Sequence, residues 1–346
     1  MAPAVAIGCR APEPERAGLR VVATLPPLAG LAGELGGDRV VVQALLGPRS
    51  DPEVGALPLS ALRALAGADL VVALGGGVLP FEQQLLRATE GEGALPVVLV
   101  QGGVEPTAGE LESGSLTARG SSDGADPHAW LDPTRMVATA RRLADRLAEL
   151  DPDGASGHRQ RLAQLEARLD AVDRRIRAEL ARAGGGVLLS EHPTWEVLAR
   201  RYGARVLAIE QEEREASARR LVDVIEEARG ARARAIAVAP GSRRRLANAV
   251  ARELGIAVVE IEPLAYDWLE SLERAALLAA GASDSSPPRQ ARALHAAKPR
   301  VPGALEQESE QEPPEQRAVA LESPAPRRGA RAQPELEPPH PRPTDG

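Results

Sequence analysis

Histidine and tryptophan, which are both rare in this chain, occur together in ADPHAWLDP, residues 125–133. The 346 residues include only five His and three Trp. Asp132 is a predicted helix N-cap, because an Asp side chain accepts a backbone N–H of the first helical turn. Pro133 fits the first helical position, because Pro has no backbone N–H that would need a partner. His128 lies just before this helix start. It is therefore either part of an ordinary helix entry or a side chain placed for chemistry.

Three further segments carry His or Glu where a predicted strand ends. The candidates are Asp51 and Glu53 in LLGPRSDPEVGALP after the second strand, Glu191 and His192 in SEHPTW after the fifth, and Glu260, Glu262 and Asp267 in EIEPLAYDW at the eighth. Ligands of open α/β folds bind beyond the carboxyl ends of the strands, and two imidazoles with two carboxylates suit a divalent transition metal. These candidates have no local spacing signature, so a cap or a solvated side chain stays open for each of them.

Eight short apolar runs alternate with amphipathic segments along the chain. Continuous apolar runs between amphipathic helices predict parallel strands that are covered on both faces. Four runs fall in each half, so the sequence predicts an α/β fold of two pseudo-symmetric lobes, each with a four-stranded parallel sheet flanked by helices. The runs are residues 19–24, 39–45, 69–74, 96–101, 186–190, 205–210, 233–239 and 256–262.

A long helical pattern separates the two halves. Apolar residues recur there every three or four positions, and three glycines at 184–186 end the pattern. We therefore predict one long backbone helix that joins the lobes, although a surface helix of one lobe has the same pattern. The predicted segments are an export-like or lipobox-like segment at 1–17, an N-terminal lobe at 18–150, the backbone helix at 151–184, a C-terminal lobe at 185–282 and a disordered Pro-rich tail at 283–346.

Charge and cysteine content limit the function classes. The net charge is −7 and the sequence pI is about 5.5, which does not favour a nucleic-acid partner. Cys9 is the one cysteine, so the chain has no internal disulfide. Its context, AIGC, resembles the lipobox of bacterial lipoproteins, and a true start upstream of Met1 would complete an export signal. The alternative is a chance cysteine in a disordered N-terminus.

Two other motifs fit known catalytic patterns less well. Gly75–Gly77 follows a strand but lacks the spacing of a dinucleotide-binding loop and a phosphate-binding Lys, which favours simple loop flexibility. Ser190, Glu191 and His192 are adjacent, but no G-x-S-x-G elbow is present.

Trp130 and Trp195 each follow a candidate His closely, and we expect both to pack the cleft walls.

The segment DPHAWLDPTRMVATARRLADRLAELDP resembles the signature of the zinc/manganese solute-binding proteins of ABC transporters, the cluster A-I or TroA-like family. Further segments resemble the family in the same order, and together they cover about residues 19–281. They are TLPPLAGLAGELGGDRVVVQALLGPRSDP, LSALRALAGADLVVALGGG, SEHPTWEVLARRYGARVLAI and AVARELGIAVVEIEPL.

The resemblance implies a set of metal ligands. His128, His192 and Glu262 match ligand positions of the family, where the last is usually Asp. The chain departs from the pattern at Glu53, because the family has His after the Asp-Pro pair. Two His and two Glu form a harder site that leans toward Mn²⁺ or Fe²⁺, although zinc also accepts carboxylates.

The function that the resemblance implies is capture of Zn²⁺ or Mn²⁺ outside the cytoplasmic membrane and delivery to an ABC permease. We expect a periplasmic or cell-surface monomer without enzymatic activity, with a possible lipid anchor at Cys9. Two alternatives stay open. One is a metal-dependent hydrolase with Glu53 or Glu191 as general base, and the other is a non-transporting paralogue with a degraded metal site.

Overall fold

The computed structural model describes residues 18–48, 50, 52, 59–90, 94–101, 126–210, 217–242 and 244–282. Cys9 with its lipobox-like segment, Glu53 and the predicted Pro-rich tail at 283–346 lie outside these described residues. Within the described ranges, no helix combines the length and the apolar character that a membrane crossing requires.

Two separate parallel sheets of four strands each form the framework of the described residues. Both sheets have the same strand order, β2-β1-β3-β4 in the first and β6-β5-β7-β8 in the second, and every pairing is parallel. The repeated order confirms the predicted pair of similar α/β lobes. The strands are β1 (Leu19–Ala23), β2 (Val40–Ala44), β3 (Leu70–Gly75), β4 (Val97–Gln101), β5 (Val187–Ser190), β6 (Arg205–Ala208), β7 (Ala235–Val238) and β8 (Ala257–Glu260).

Helices flank both sheets, and one of them is much longer than the others. Short 3₁₀ turns at Gly37–Arg39, Ala129–Leu131, Pro152–Gly154 and Pro193–Trp195 join several elements. The described α-helices are α1 (Pro26–Gly36), α2 (Leu59–Leu65), α3 (Pro80–Ala88), α4 (Pro133–Leu150), α5 (Ala155–Arg182), α6 (Glu196–Tyr202), α7 (Ala218–Gly230), α8 (Arg245–Leu254) and α9 (Trp268–Ala279).

The long helix α5 lies between the lobes, as predicted. Its 28 residues extend about 42 Å at 1.5 Å per residue. Five side chains on it are buried, and they recur at intervals of seven and four residues, which places them on one face. The four apolar residues of this face belong to the main core cluster, which also contains residues of both sheets. The buried residues are His158, Leu165, Leu169, Ile176 and Leu180.

Buried polar contacts fix the start of α5 against the end of α1. The ring of His158 is fully buried, with Nδ1 3.0 Å from the carbonyl oxygen of Leu35. Arg161 donates to the same carbonyl through Nε at 2.7 Å. Asp151 lies 3.2 Å from His158 Nε2 and also pairs with Arg39. The Arg39 hydrogen bond holds the pKa of Asp151 well below its usual range. These contacts satisfy carbonyl groups that a helix end leaves unpaired.

A cluster around Tyr202 fixes the end of α6 against α5. The phenol donates to Asp173 Oδ1 at 3.1 Å, and the guanidinium carbons of Arg177 and Arg201 lie 5.3 Å and 5.5 Å from the ring centroid. Burial, together with the negative charge of Asp173, raises the pKa of Tyr202 to about 12. The short helix α6 therefore has a defined position relative to the long helix.

Helix α1 and the segment before α9 approach each other so closely that only glycine fits at position 30. A Cβ built on Gly30 would overlap the carbonyl oxygen of Tyr266. The contact joins the first lobe to the second at backbone level. Since neither backbone can shift without moving a helix, the approach constrains how the lobes pack.

We expect Gly30→Ala to destabilise the protein by about 1–3 kcal/mol, because the added methyl group has to displace the backbone at Tyr266. The matched control is Gly230→Ala at the end of α7, where an added Cβ meets nothing within 4 Å. That change should be neutral or stabilising by up to about 1 kcal/mol. Urea denaturation of both variants measures the difference, and equal stabilities would contradict the close approach.

Tyr202 generates a prediction about alkaline pH. Its pKa is raised from 10.0 to about 12 in the fold, so the stability it contributes is complete below pH 10 and decreases as the pH rises to about 12. Tyr202→Phe should remove this part of the decline in unfolding free energy. The chain contains one Lys and two Tyr, so few other groups titrate in this window. Tyrosinate absorbance of the folded protein checks the pKa, and ionisation of both phenols near pH 10 would contradict it.

Candidate metal-binding site between the lobes

The end of β4 positions the loop that carries His128. Gln101 holds Asp126 at both backbone groups, accepting its N–H at 2.9 Å and donating to its carbonyl at 2.8 Å. Asp126 Oδ1 in turn accepts the backbone N–H of His128 at 2.9 Å and lies 3.7 Å from the ring Nδ1. Asp132 is the predicted N-cap of α4, since its side chain accepts the N–H of Thr134. His128 is thus fixed at the entry of this helix by one carboxylate.

Asp126 also pairs with the second lobe. Its Oδ2 accepts a hydrogen bond from Arg200 on α6. Burial alone would raise the pKa of Asp126, but the hydrogen bonds from His128 and Arg200 outweigh it and lower the pKa to about 2. Asp126 is therefore a carboxylate at neutral pH, with His128 and Arg200 on its two sides.

Trp130 connects the His128 loop to the segment that carries Glu262. Its ring centroid lies 5.5 Å from that of His128, and only 1% of the residue is exposed. The indole Nε1 donates to the carbonyl oxygen of Pro263 at 2.9 Å. Because Pro263 follows Glu262 directly, this bond brings the two segments together across the lobes. Trp195 is buried as well, and the expectation that both tryptophans are packed is met.

Glu262 lies two residues beyond β8. Ile261 extends the pairing of this strand, since its N–H donates to the carbonyl of Val238 at 3.0 Å. The carboxylate of Glu262 accepts the backbone N–H of Leu264 at 2.9 Å through Oε1. In the structure this side chain stabilises its own turn at the carboxyl end of the second sheet.

His192 follows β5 and is more exposed than His128, with 56% of its side chain accessible against 18%. The hydroxyl of Ser190 donates to the His192 carbonyl at 2.6 Å. The ring Nδ1 lies 3.3 Å from Oε2 of Glu210, just beyond β6. Sequence reasoning did not identify Glu210 as a partner. The neighbouring positions of β5 and β6 in the sheet were the signal that could have indicated it.

Glu191, which directly precedes His192, is buried. It is 6% exposed, and its Oε2 has no hydrogen-bond partner among the described residues. Its backbone is well paired, because its N–H donates to Ala237 and its carbonyl accepts from Glu210. A buried carboxylate oxygen without a hydrogen-bond partner lowers the stability of the fold. Stability alone therefore does not account for Glu191 beside His192.

The structure places His128, His192 and Glu262 on loops beyond the carboxyl ends of β4, β5 and β8. In the part of the chain that the structure describes, no three His, Cys, Asp or Glu side chains lie close enough together to hold one metal ion. Glu53, the fourth predicted ligand, falls outside that part. The ligand set therefore stays a prediction.

Comparisons with known proteins agree with this architecture. The zinc-binding lipoprotein AdcA of Streptococcus pneumoniae is 24% identical over 253 residues, which are 71% of this chain and 50% of AdcA. The manganese-binding lipoprotein MntA of Halalkalibacterium halodurans is 30% identical over 155 residues, which are 44% of this chain and 47% of MntA. The chain thus spans about half the length of AdcA.

The crystal structure of ZnuA superposes with a TM-score of 0.64 at 28% identity, over 77% of this chain and 99% of ZnuA. A sequence profile described as "ZnuA: zinc-uptake complex component A, periplasmic" matches residues 21–276. The match includes both sheets and the helix between them. The chain therefore belongs to the family of periplasmic A components of zinc-uptake complexes.

Proposed function

We propose that this protein is an extracytoplasmic solute-binding protein that captures Zn²⁺ or Mn²⁺ between its two lobes and delivers the ion to the permease of an ABC transporter. The family description names a periplasmic component of zinc uptake. AdcA is named as zinc-binding and MntA as manganese-binding, and both are named lipoproteins. These relatives support a transported divalent metal as the ligand.

The observation that carries the proposal is the meeting of three loops between the lobes. The indole of Trp130 joins the His128 loop to the Glu262 segment, and Arg200 joins Asp126 to the helix that follows His192. Candidate ligands from distant parts of the sequence are thereby held on adjoining loops. A binding site formed by both lobes is the arrangement that such loops provide.

The proposed ligands are His128, His192, Glu262 and Glu53. His192 presents Nδ1 to Glu210, which leaves Nε2 for an ion and matches the way that metal-binding histidines are oriented by carboxylates. Two carboxylates with two imidazoles provide a harder site than one of three imidazoles. We infer that Mn²⁺ competes with Zn²⁺ at this site more effectively than it would at a His-rich site.

Several further features belong to the same proposal. The protein acts as a monomer without enzymatic chemistry, in the periplasm or at the cell surface, with Cys9 as a lipid attachment point. The lobes comprise residues 18–150 and 185–282, with the backbone helix at 151–184. The comparisons favour a binding protein over the metal-dependent hydrolase that the sequence left open.

We expect the purified chain to bind one Zn²⁺ or Mn²⁺ ion in isothermal titration calorimetry. His128→Ala should weaken affinity by more than the roughly 10–100-fold that is typical when a partner of a ligand is lost. Glu53→Ala should weaken it as well, because Glu53 is one of the four proposed ligands. Binding should also weaken as the pH falls, since the ligands must lose protons.

His340→Ala is the matched control, because this histidine is not in the proposed ligand set. The affinity of this variant for the metal ion should equal that of the unchanged chain. A chain that binds neither ion would overturn the proposed function and favour a non-transporting paralogue. If the ion binds but Glu53→Ala leaves the affinity unchanged, the four-ligand set is wrong while metal capture stands.

A further inference from the structure

Asp126 uses its two oxygens in two directions. Oδ1 accepts the backbone N–H of His128 and faces the His128 ring. Oδ2 accepts from Arg200. The carboxylate side chain is 16% exposed, and both backbone groups of Asp126 are bonded to Gln101. The hydrogen bond from Arg200 to Oδ2 therefore acts on the same residue that binds the backbone of His128.

Arg200 belongs to the second lobe and lies close to the other candidate histidine along the chain. His192 precedes the 3₁₀ turn Pro193–Trp195, and α6 continues from this turn to Tyr202. The Asp126–Arg200 pair thus connects the loop that carries His128 to the helix that follows His192. Since the Tyr202 cluster holds α6 against the long helix, Arg200 projects from a fixed element.

Water reaches this ion pair. The Arg200 side chain is 62% exposed, and its other carboxylate contact, with Glu196 one turn earlier on α6, is long at 3.8 Å. A cavity of about 290 Å³ opens beside the pair between the lobes. It is lined by Asp126, Asp132, Arg135, Val197, Arg200 and Arg201. An exposed ion pair of this kind contributes little to the free energy of unfolding. Its position beside the loop that carries His128 is therefore the property that bears on function.

We propose that Arg200 is a positioning residue for metal retention: through Asp126 it holds the His128 loop against the second lobe and so slows dissociation of the bound ion. The inference rests on the proposed function, because it assigns a role in the same site. Arg200 does not touch the ion. It acts on the rate at which the His128 loop separates from the loop of His192.

The test measures Zn²⁺ dissociation from the full chain by stopped-flow mixing with a chelator. Arg200→Ala should increase the dissociation rate roughly three- to ten-fold, since changes at one interface act mainly on dissociation. Raising the NaCl concentration should accelerate dissociation from the unchanged chain by screening the exposed pair. This salt dependence should be largely lost in Arg200→Ala and partly kept in Arg200→Lys.

Arg229→Ala is the matched control. Arg229 forms an exposed ion pair with Glu253 at 3.2 Å, between α7 and α8 on the outer side of the second sheet. Its removal changes surface charge equally but touches neither candidate histidine loop. We expect its dissociation rate and salt dependence to equal those of the unchanged chain.

A double-mutant cycle with Asp126→Asn isolates the pair. If Arg200 acts through Asp126, adding Arg200→Ala to Asp126→Asn should change the dissociation rate little. The inference is overturned if Arg200→Ala behaves like Arg229→Ala, or if its effect is fully additive with Asp126→Asn and the salt dependence is unchanged. If the unchanged chain binds neither Zn²⁺ nor Mn²⁺, the proposed function fails and this inference fails with it, whereas a chain that binds the ion normally but shows no effect of Arg200→Ala overturns the inference alone. The two failures are therefore distinguishable.

Discussion

The shared hydrophobic core along the long helix α5 is the constraint on which the rest of the structure depends. Its buried stripe belongs to a cluster that includes side chains of both sheets, such as Val21 and Leu188. The outer faces of the sheets have smaller clusters of their own. Because the lobes share one core, they cannot separate without exposing apolar surface at about 25 cal/mol per Å².

Because the shared core restricts movement of the lobes, the loops near the candidate site are the parts that can change position. The backbone approach of Gly30 to Tyr266 and the buried contacts of His158 and Arg161 resist relative movement of the elements that they join. The contacts near the candidate site are different, because the Asp126–Arg200 and His192–Glu210 pairs are partly exposed. Exposed pairs break at low energetic cost. A rigid frame whose loops meet through exposed ion pairs is suited to the proposed site, which has to both retain and release an ion.

Most of the fold was predictable because its signals are local. Seven of the eight strands lie within the apolar runs, and β3 ends one residue beyond its run, at Gly75. The N-cap at Asp132 follows from residue type alone. The segment Gly75–Gly77, for which the sequence favoured simple loop flexibility, meets this expectation only in part. These glycines do have the positive φ of a loop, but the buried carboxylate of Glu82 accepts the N–H groups of Leu74 and Gly75 and so fixes the start of the turn.

The site was less predictable because its contacts are distant in sequence. Asp126 and Arg200 are 74 positions apart, and Trp130 and Pro263 are 133 apart. No periodicity or spacing rule relates such pairs, since they depend on how two sheets pack against one helix. The family resemblance supplied candidate ligands, but it could not identify the carboxylates that face them. Glu210, which faces His192, becomes visible only when the pairing of β5 with β6 is known, whereas Asp126 lies two residues before His128 in the sequence.

The two candidate histidines differ in how far the protein has already ordered them. His128 is held by its backbone, by a buried tryptophan and by a carboxylate that is itself fixed at four atoms by Gln101, Arg200 and the His128 loop. His192 is half-exposed, and its side chain has one carboxylate partner among the described residues. Ordering an exposed side chain costs conformational entropy. At the proposed site, preorganisation of His128 therefore favours capture of an ion, whereas the exposure of His192 lowers the cost of releasing the ion.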